Sequence, residues 1–253
     1  MFQKRTACLL SGWMVALVCA SASAAPVRLV TGTDYPPFAD PSLPSGGLTG
    51  ALVQAAFAAA GLPTDVLQFE PWKRGYADVL IGAADATFPY IRSPPREAEM
   101  LYSDPIYDIV LVALFRTGSG HQYTGPDSLR GLSLCLPIGY GTSEPISGLI
   151  ESKAVHIEQP ATADLCLKEL AGGRVDVFVG AVDLLDRRIA ALFGPAPPFY
   201  RAAVPVSQHS LYLIAARANP GAGDLVRRFN EGLALLHADG RYDEIVRRQM
   251  GAS

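Results

Sequence analysis

The sequence predicts an α/β protein built of two lobes joined by a hinge, with strands and helices alternating as in a parallel sheet. Three observations carry this expectation. Short runs rich in Val, Leu and Ile alternate with alanine-rich or amphipathic stretches of helical length, the pattern of strands and helices in succession. The alternation occurs twice, over residues 27–116 and again over 132–192, with the flexible stretch 117–120 (TGSG) between. A chain of 253 residues is also long enough for two lobes of about 100 residues each.

Taken in order, residues 27–30 (VRLV) read as a first strand. Pro36 and Pro37 end it and present Tyr35 and Phe38 on a stiff loop, because the residue before a proline is pushed to extended backbone. The Pro/Gly/Ser-rich stretch 40–47 makes a turn, and 48–60 is an apolar helix stopped by Gly61. Residues 66–69 form a second strand. A helix opened by Pro71 and Trp72 then runs to Ile81, ahead of Gly82, and 86–88 is a third strand. That strand runs through Phe88-Pro89-Tyr90 toward Arg92 and Arg96, with Ser93-Pro94-Pro95 between the arginines. The paired prolines are expected to break regular structure and stiffen the loop, which fixes a guanidinium in one place. An arginine fork on a stiff loop beside aromatic rings suits a small ligand carrying a carboxylate. Arg92 is expected to be solvated or ion-paired, and Arg96 to meet the ligand.

Residues 107–116 (YDIVLVALFR) read as a long strand leading into 117–120. A second set follows: strand 132–136, a glycine-bearing loop at 137–143 opening a helix over 146–153, and strand 155–157. Helix 162–171, capped by Thr162 or Asp164, stops at Gly172-Gly173. Strand 175–179, helix 182–192, strand 210–215 and helices 224–237 and 242–250 complete the chain. Crossings near 107–113 and 205–211 divide it into one lobe of 25–110 with 208–253 and another of 111–207.

The N-terminus predicts export. Lys4 and Arg5 precede an apolar run over 7–20, and Ala22-Ser23-Ala24 has the small-residue pattern of a cleavage site, so residues 1–24 read as a signal peptide cut near Ala24 and the protein as periplasmic. The apolar run is too short for a span of about 20 residues. Removing Lys4 and Arg5 leaves 19 basic and 24 acidic residues, a net charge of −5, which argues against a nucleic-acid partner. Cys135 and Cys166 remain, and two thiols in an oxidising compartment favour one disulfide, worth roughly 3–4 kcal/mol by loop closure. Their places on a strand and on the following helix allow them to meet across one lobe. The four histidines, His121, His156, His209 and His237, lack ligand spacing, so no metal is expected. No cofactor fingerprint is present either.

Several motifs in order resemble one family. They are Asp34-Tyr35-Pro36-Pro37-Phe38, Leu48-Thr49-Gly50, and Arg96 ahead of Tyr102-Ser103-Asp104-Pro105-Ile106-Tyr107. Further on stand Gly173-Arg174-Val175-Asp176, Asn230-Glu231-Gly232-Leu233, and Asp239-Gly240 with Tyr242 and Ile245. Across essentially the whole chain after residue 24, this set resembles the family 3 periplasmic solute-binding proteins, the receptors of polar amino-acid ABC importers. The resemblance implies a type II periplasmic binding protein fold, each lobe a mixed sheet flanked by helices, whose lobes close on a ligand. Arg96 would grip the carboxylate, and Tyr35 would lie against the ligand's side chain. Tyr140, Gly141 and Thr142 would offer groups from the glycine loop at 139–143. Trp72, Phe88, Tyr90, Ser93 and Asp183 complete the candidate ligand contacts. The implied partners are a small carboxylate-bearing molecule and an ABC permease, with the receptor a monomer.

The chain also departs from that family. Ala181 stands where an ammonium-binding Asp is usual, with Asp183 two residues later. Ile91 and Ser93 replace threonines before the arginine, and Gln54 replaces an acid in the first helix. A site that keeps the carboxylate clamp and lacks the usual ammonium acceptor need not take a standard α-amino acid. Trp72-x-Arg74 marks a divergent subgroup. Two other functions on this fold stand beside transport: a periplasmic dehydratase of the cyclohexadienyl type, with Glu144 and Asp183 as acid–base candidates, and a ligand-sensing partner of a membrane receptor.

Overall fold

The computed structural model describes residues 25–142 and 144–251. The expected signal peptide and its cleavage point, and Ser143 of the glycine loop, lie outside the described residues. Among them no helix is long and apolar enough to cross a membrane.

The first part of the chain forms β1 (Leu29–Thr31), α1 (Leu48–Ala59), β2 (Gln68–Phe69), α2 (Trp72–Leu80), β3 (Ala86–Tyr90), α3 (Pro94–Glu99) and β4 (Met100–Tyr102). The long β5 (Tyr107–Arg116) follows, then β6 (Ser133–Cys135), α4 (Ile146–Glu151), β7 (His156–Glu158), α5 (Ala163–Ala171), β8 (Val177–Ala181) and α6 (Val182–Phe193). After β9 (Phe199–Arg201), a second long strand, β10 (Ser207–Ala216), leads to α7 (Ala222–Asp239) and α8 (Arg241–Met250).

The strands join in the order β2-β1-β3-β10-β5-β8-β6-β7, with β4 on β10 and β9 on β5. β1 is parallel to β2 and β3, and β6 to β7 and β8, as helical crossovers require. β5 and β10 are antiparallel and belong to both halves. They pair with each other from Tyr107–Leu111 to Ser207–Leu211. Beyond that overlap β10 pairs with β3 and β4, and β5 with β8 and β9. The chain therefore passes between two sheet halves twice, along adjacent strands.

Each half has a reason to hold its shape. In the first, α1 packs on α7 so closely that a Cβ on Gly232 would lie 1.9 Å from the Ala56 carbonyl oxygen. The rings of Phe57 and Phe229 meet at 5.2 Å in the same interface. The loop before α1 is pinned to its N-terminus: the amide of Leu48 donates to the Pro37 carbonyl at 2.8 Å, and the Thr49 hydroxyl to the Phe38 carbonyl at 2.7 Å. In the second half a disulfide joins Cys135 on β6 to Cys166 on α5, both buried, with the Cα atoms 5.6 Å apart. The Thr162 hydroxyl caps α5 by accepting from the Leu165 amide.

One expectation is corrected here. The stretch from Pro94 is the helix α3, not an irregular loop. Pro94 and Pro95 occupy its first turn, where a missing N–H leaves no hydrogen bond unmade, and Ser93 provides the extended residue ahead of it. The three-residue strands β4 (Met100–Tyr102) and β9 (Phe199–Arg201) were not foreseen.

Candidate functional site

A cavity of about 90 Å³ lies between the two halves. The first half contributes Tyr35, Trp72, Tyr90 and Arg96, and the second contributes Tyr140, Gly141 and Thr142.

The aromatic wall is fixed by local structure. Tyr35 sits in a tight turn whose amide donates to the Ala39 carbonyl at 3.0 Å. Its ring meets Trp72 edge-on at 6.0 Å and Tyr140 at 5.3 Å. Trp72 begins α2, and its indole lies on the backbone of Gly32, where an added Cβ would come within 2.1 Å of the ring. On its other side stands Gly139 of the second half, whose φ of 86° and close approach to Trp72 both demand glycine. The Tyr90 hydroxyl donates to the Trp72 carbonyl at 3.2 Å. Burial raises all these phenols, Tyr90 to about 12 and Tyr35 and Tyr140 further, so they face the cavity as neutral hydroxyls.

Arg96 is the charged group in this wall. Its guanidinium lies over the Tyr90 ring, 4.9 Å from the centroid, and donates to the Ile91 carbonyl at 3.3 Å. Among the described residues no carboxylate pairs with it. The backbone of Gly141 crosses so near that a Cβ there would lie 2.5 Å from an Arg96 nitrogen. Arg92 is engaged elsewhere, 3.3 Å from Glu97 and over the rings of Tyr102 and Tyr212.

Three expected contacts do not line the cavity. Phe88 is fully buried in the core of the first half, its carbonyl accepting from the Thr31 hydroxyl at 2.6 Å. Ser93 stands at the cap position of α3. Asp183 lies half-buried in the first turn of α6, where burial and then neighbouring Asp186 raise its carboxyl; its charge is felt by the hydroxyls of Tyr35 and Tyr107. Gln54 serves structure, donating to the carbonyls of Gly50 and Ser45.

The structure adds two features absent from the sequence reading. The rest of the cavity wall is aliphatic, with Ile109, Leu111, Leu134, Leu136, Leu184 and Leu211 beside Ala181. Beside the cavity, a charge cluster ties the halves together. Asp34, held at a φ of 63° that Asp tolerates better than most residues, accepts from the Ala163 amide at 2.8 Å and pairs with Arg188 on α6. Arg188 also lies 3.3 Å from Asp164, an ion pair aligned too poorly to be a hydrogen bond, and 3.7 Å from Asp40. The Tyr140 hydroxyl donates to the Asp34 carbonyl at 2.7 Å. Burial raises the Asp34 carboxyl, with the Ala163 amide and Arg188 opposing.

Two sheet halves sharing two crossing strands, with a cavity between them, define a two-lobed binding-protein fold. Solved structures share it. A histidine kinase sensor domain with similarity to periplasmic binding proteins superposes with a TM-score of 0.76 at 21% identity, over 89% of this chain and 96% of that one. An ancestral arginine-binding protein bound to arginine gives 0.74 at 18% identity, over 90% and 99%. An ancestral amino acid-binding protein, a precursor of cyclohexadienyl dehydratase, gives 0.69 at 18% identity, over 89% and 95%. The chain belongs to the bacterial extracellular solute-binding proteins, family 3, whose family model matches residues 27–252. No curated protein sequence matches it.

Proposed function

We propose that this protein is a periplasmic receptor that captures a small carboxylate-bearing solute between its lobes and delivers it to the permease of an ABC importer. The observation that carries the proposal is Arg96, a guanidinium in the cavity wall with no carboxylate partner among the described residues. Arg96 is partly withdrawn from water with no counter-charge among the described residues, and a ligand carboxylate supplies that charge through a two-pronged hydrogen bond. Export by a leader over residues 1–24 fits the family's extracellular character.

The lobes in this reading are 25–110 with 208–253, and 111–207. They hinge about the shared stretches of β5 and β10. The Asp34–Arg188 pair, the Tyr140–Asp34 hydrogen bond and the Trp72–Gly139 contact all span these lobes, so they form as the lobes close. Of the two acid–base candidates for a dehydratase, neither lines the cavity. The Glu144 carboxylate accepts from the Ser147 hydroxyl at 2.8 Å, and Asp183 sits outside the wall. This favours capture over turnover. A sensing role would use the same cavity and differ only in the membrane partner.

Titration calorimetry with a panel of small organic acids and amino acids tests the proposal. Hydrogen bonds to charged groups are worth about 1.5–3 kcal/mol, so Arg96→Ala should weaken binding by roughly 10- to 150-fold. Unchanged binding in that variant would remove the clamp from the account.

A further inference from the structure

We infer that the ligand is an organic acid with a short apolar body and no cationic amino group, an inference that rests on the carboxylate reading above. The cavity offers donors and apolar surface and lacks what an ammonium needs. Its charged wall residue is Arg96, and no carboxylate lines it among the described residues. The indole Nε1–H of Trp72, another wall residue, is buried with no acceptor among the described residues, a second donor without a partner. No described acceptor meets the amides of Gly141 and Thr142.

A bound ammonium carries three donors and no acceptor, so it requires oxygens around it. The charged oxygens near the cavity are already in use or out of place. The hydroxyls of Tyr90 and Tyr140 give their protons to the carbonyls of Trp72 and Asp34; their oxygens keep lone pairs but carry no charge, so they do not neutralise an ammonium. The Asp34 carboxylate is occupied by the Ala163 amide and by Arg188. Asp183 stands outside the wall, and Ala181 presents a methyl group. The wall also includes Ile109, Leu111, Leu136, Leu184 and Leu211, apolar side chains that favour a hydrocarbon body in the ligand. An α-amino acid bound here would bring an ammonium into a wall with no carboxylate among the described residues, and an unpaired buried cation is strongly disfavoured. Removing the amino group removes that penalty and leaves the carboxylate and the body in place.

The test compares acids with and without an amino group in the chain from residue 25 onward, by titration calorimetry. The matched pairs are 3-methylbutanoate against valine and 4-methylpentanoate against leucine, each acid being its amino acid without the amino group. Isobutylamine serves as the amine without a carboxylate. We expect each acid to bind at least about 100-fold more tightly than its amino-acid partner, a difference of about 2.8 kcal/mol, and isobutylamine not to bind. An amino acid that binds as tightly as its acid partner overturns the inference and leaves the carboxylate reading intact; loss of that binding in Asp183→Asn would place the ammonium at Asp183. If no acid and no amino acid binds at millimolar concentration, the carboxylate reading fails and this inference fails with it.

Discussion

Replacing Arg188 by Ala separates closure of the lobes from their folding. Arg188 and Asp34 are 20% and 19% exposed, so most of their hydration is lost where they meet. Removing one member of a fully buried pair costs about 3–5 kcal/mol, because the remaining charge is left without compensation. Here the residual exposure and the Ala163 amide at 2.8 Å reduce that penalty, and we take about 2 kcal/mol. Asp34 can escape the penalty by opening the lobes to water, so the loss falls on closure and spares each lobe's own core. At 1.4 kcal/mol per tenfold, ligand affinity should fall by roughly 30-fold. Titration calorimetry with a bound acid measures the affinity, and small-angle scattering measures the shift toward an extended shape. An affinity within about threefold of wild type, with unchanged scattering, would refute the latch.

Three further outcomes follow from particular contacts. Gly139→Ala places a Cβ 2.7 Å from the Trp72 Cβ at a φ of 86°, so it should weaken ligand binding by about tenfold, the effect of 1–2 kcal/mol of left-handed strain, and calorimetry reads it directly. Cys135→Ala with Cys166→Ala opens a link across 31 residues, which should cost about 3.5–4 kcal/mol and lower the melting temperature by about 7–15 °C in calorimetric scans. His209, in the strand overlap of β5 and β10, has its pKa lowered by burial from the ordinary 6.5. The unfolded chain therefore binds its proton more readily, and stability should fall as pH drops below 6.5, by at most about 1.4 kcal/mol per pH unit. His209→Gln should flatten that slope in denaturant titrations. Asp34 and Asp183, whose carboxyls are raised, act in the opposite sense and gain stability as they protonate, so the comparison with His209→Gln isolates the histidine's share.

Much of the fold was legible because each element carries its own pattern. β5 spans the same residues, 107–116, as the aliphatic run that announced it. β10 starts three residues before its apolar run, at Ser207, because the polar Ser207, Gln208 and His209 pair with β5 where the strand is half-exposed. The proline pair misled because the same residues that stop a helix in its interior are well suited to its first turn. In the site, Arg96 and the aromatic residues stood out through polarity and motif. Phe88 and Tyr90 share a strand and a buried environment, and composition does not say which ring reaches the cavity. The aliphatic wall reads in sequence as ordinary core. The Asp34–Arg188 pair joins residues 154 positions apart, a contact that no local pattern announces.

The central claim is that Arg96 holds a ligand carboxylate in the cavity between the lobes. A crystal structure of the protein with 3-methylbutanoate or another bound acid tests it most directly. The account predicts the carboxylate oxygens about 2.7–2.9 Å from the Arg96 guanidinium, with the hydrocarbon toward Leu111, Leu184 and Leu211. An acid bound outside the cavity, or inside it with its carboxylate turned away from Arg96, would contradict it.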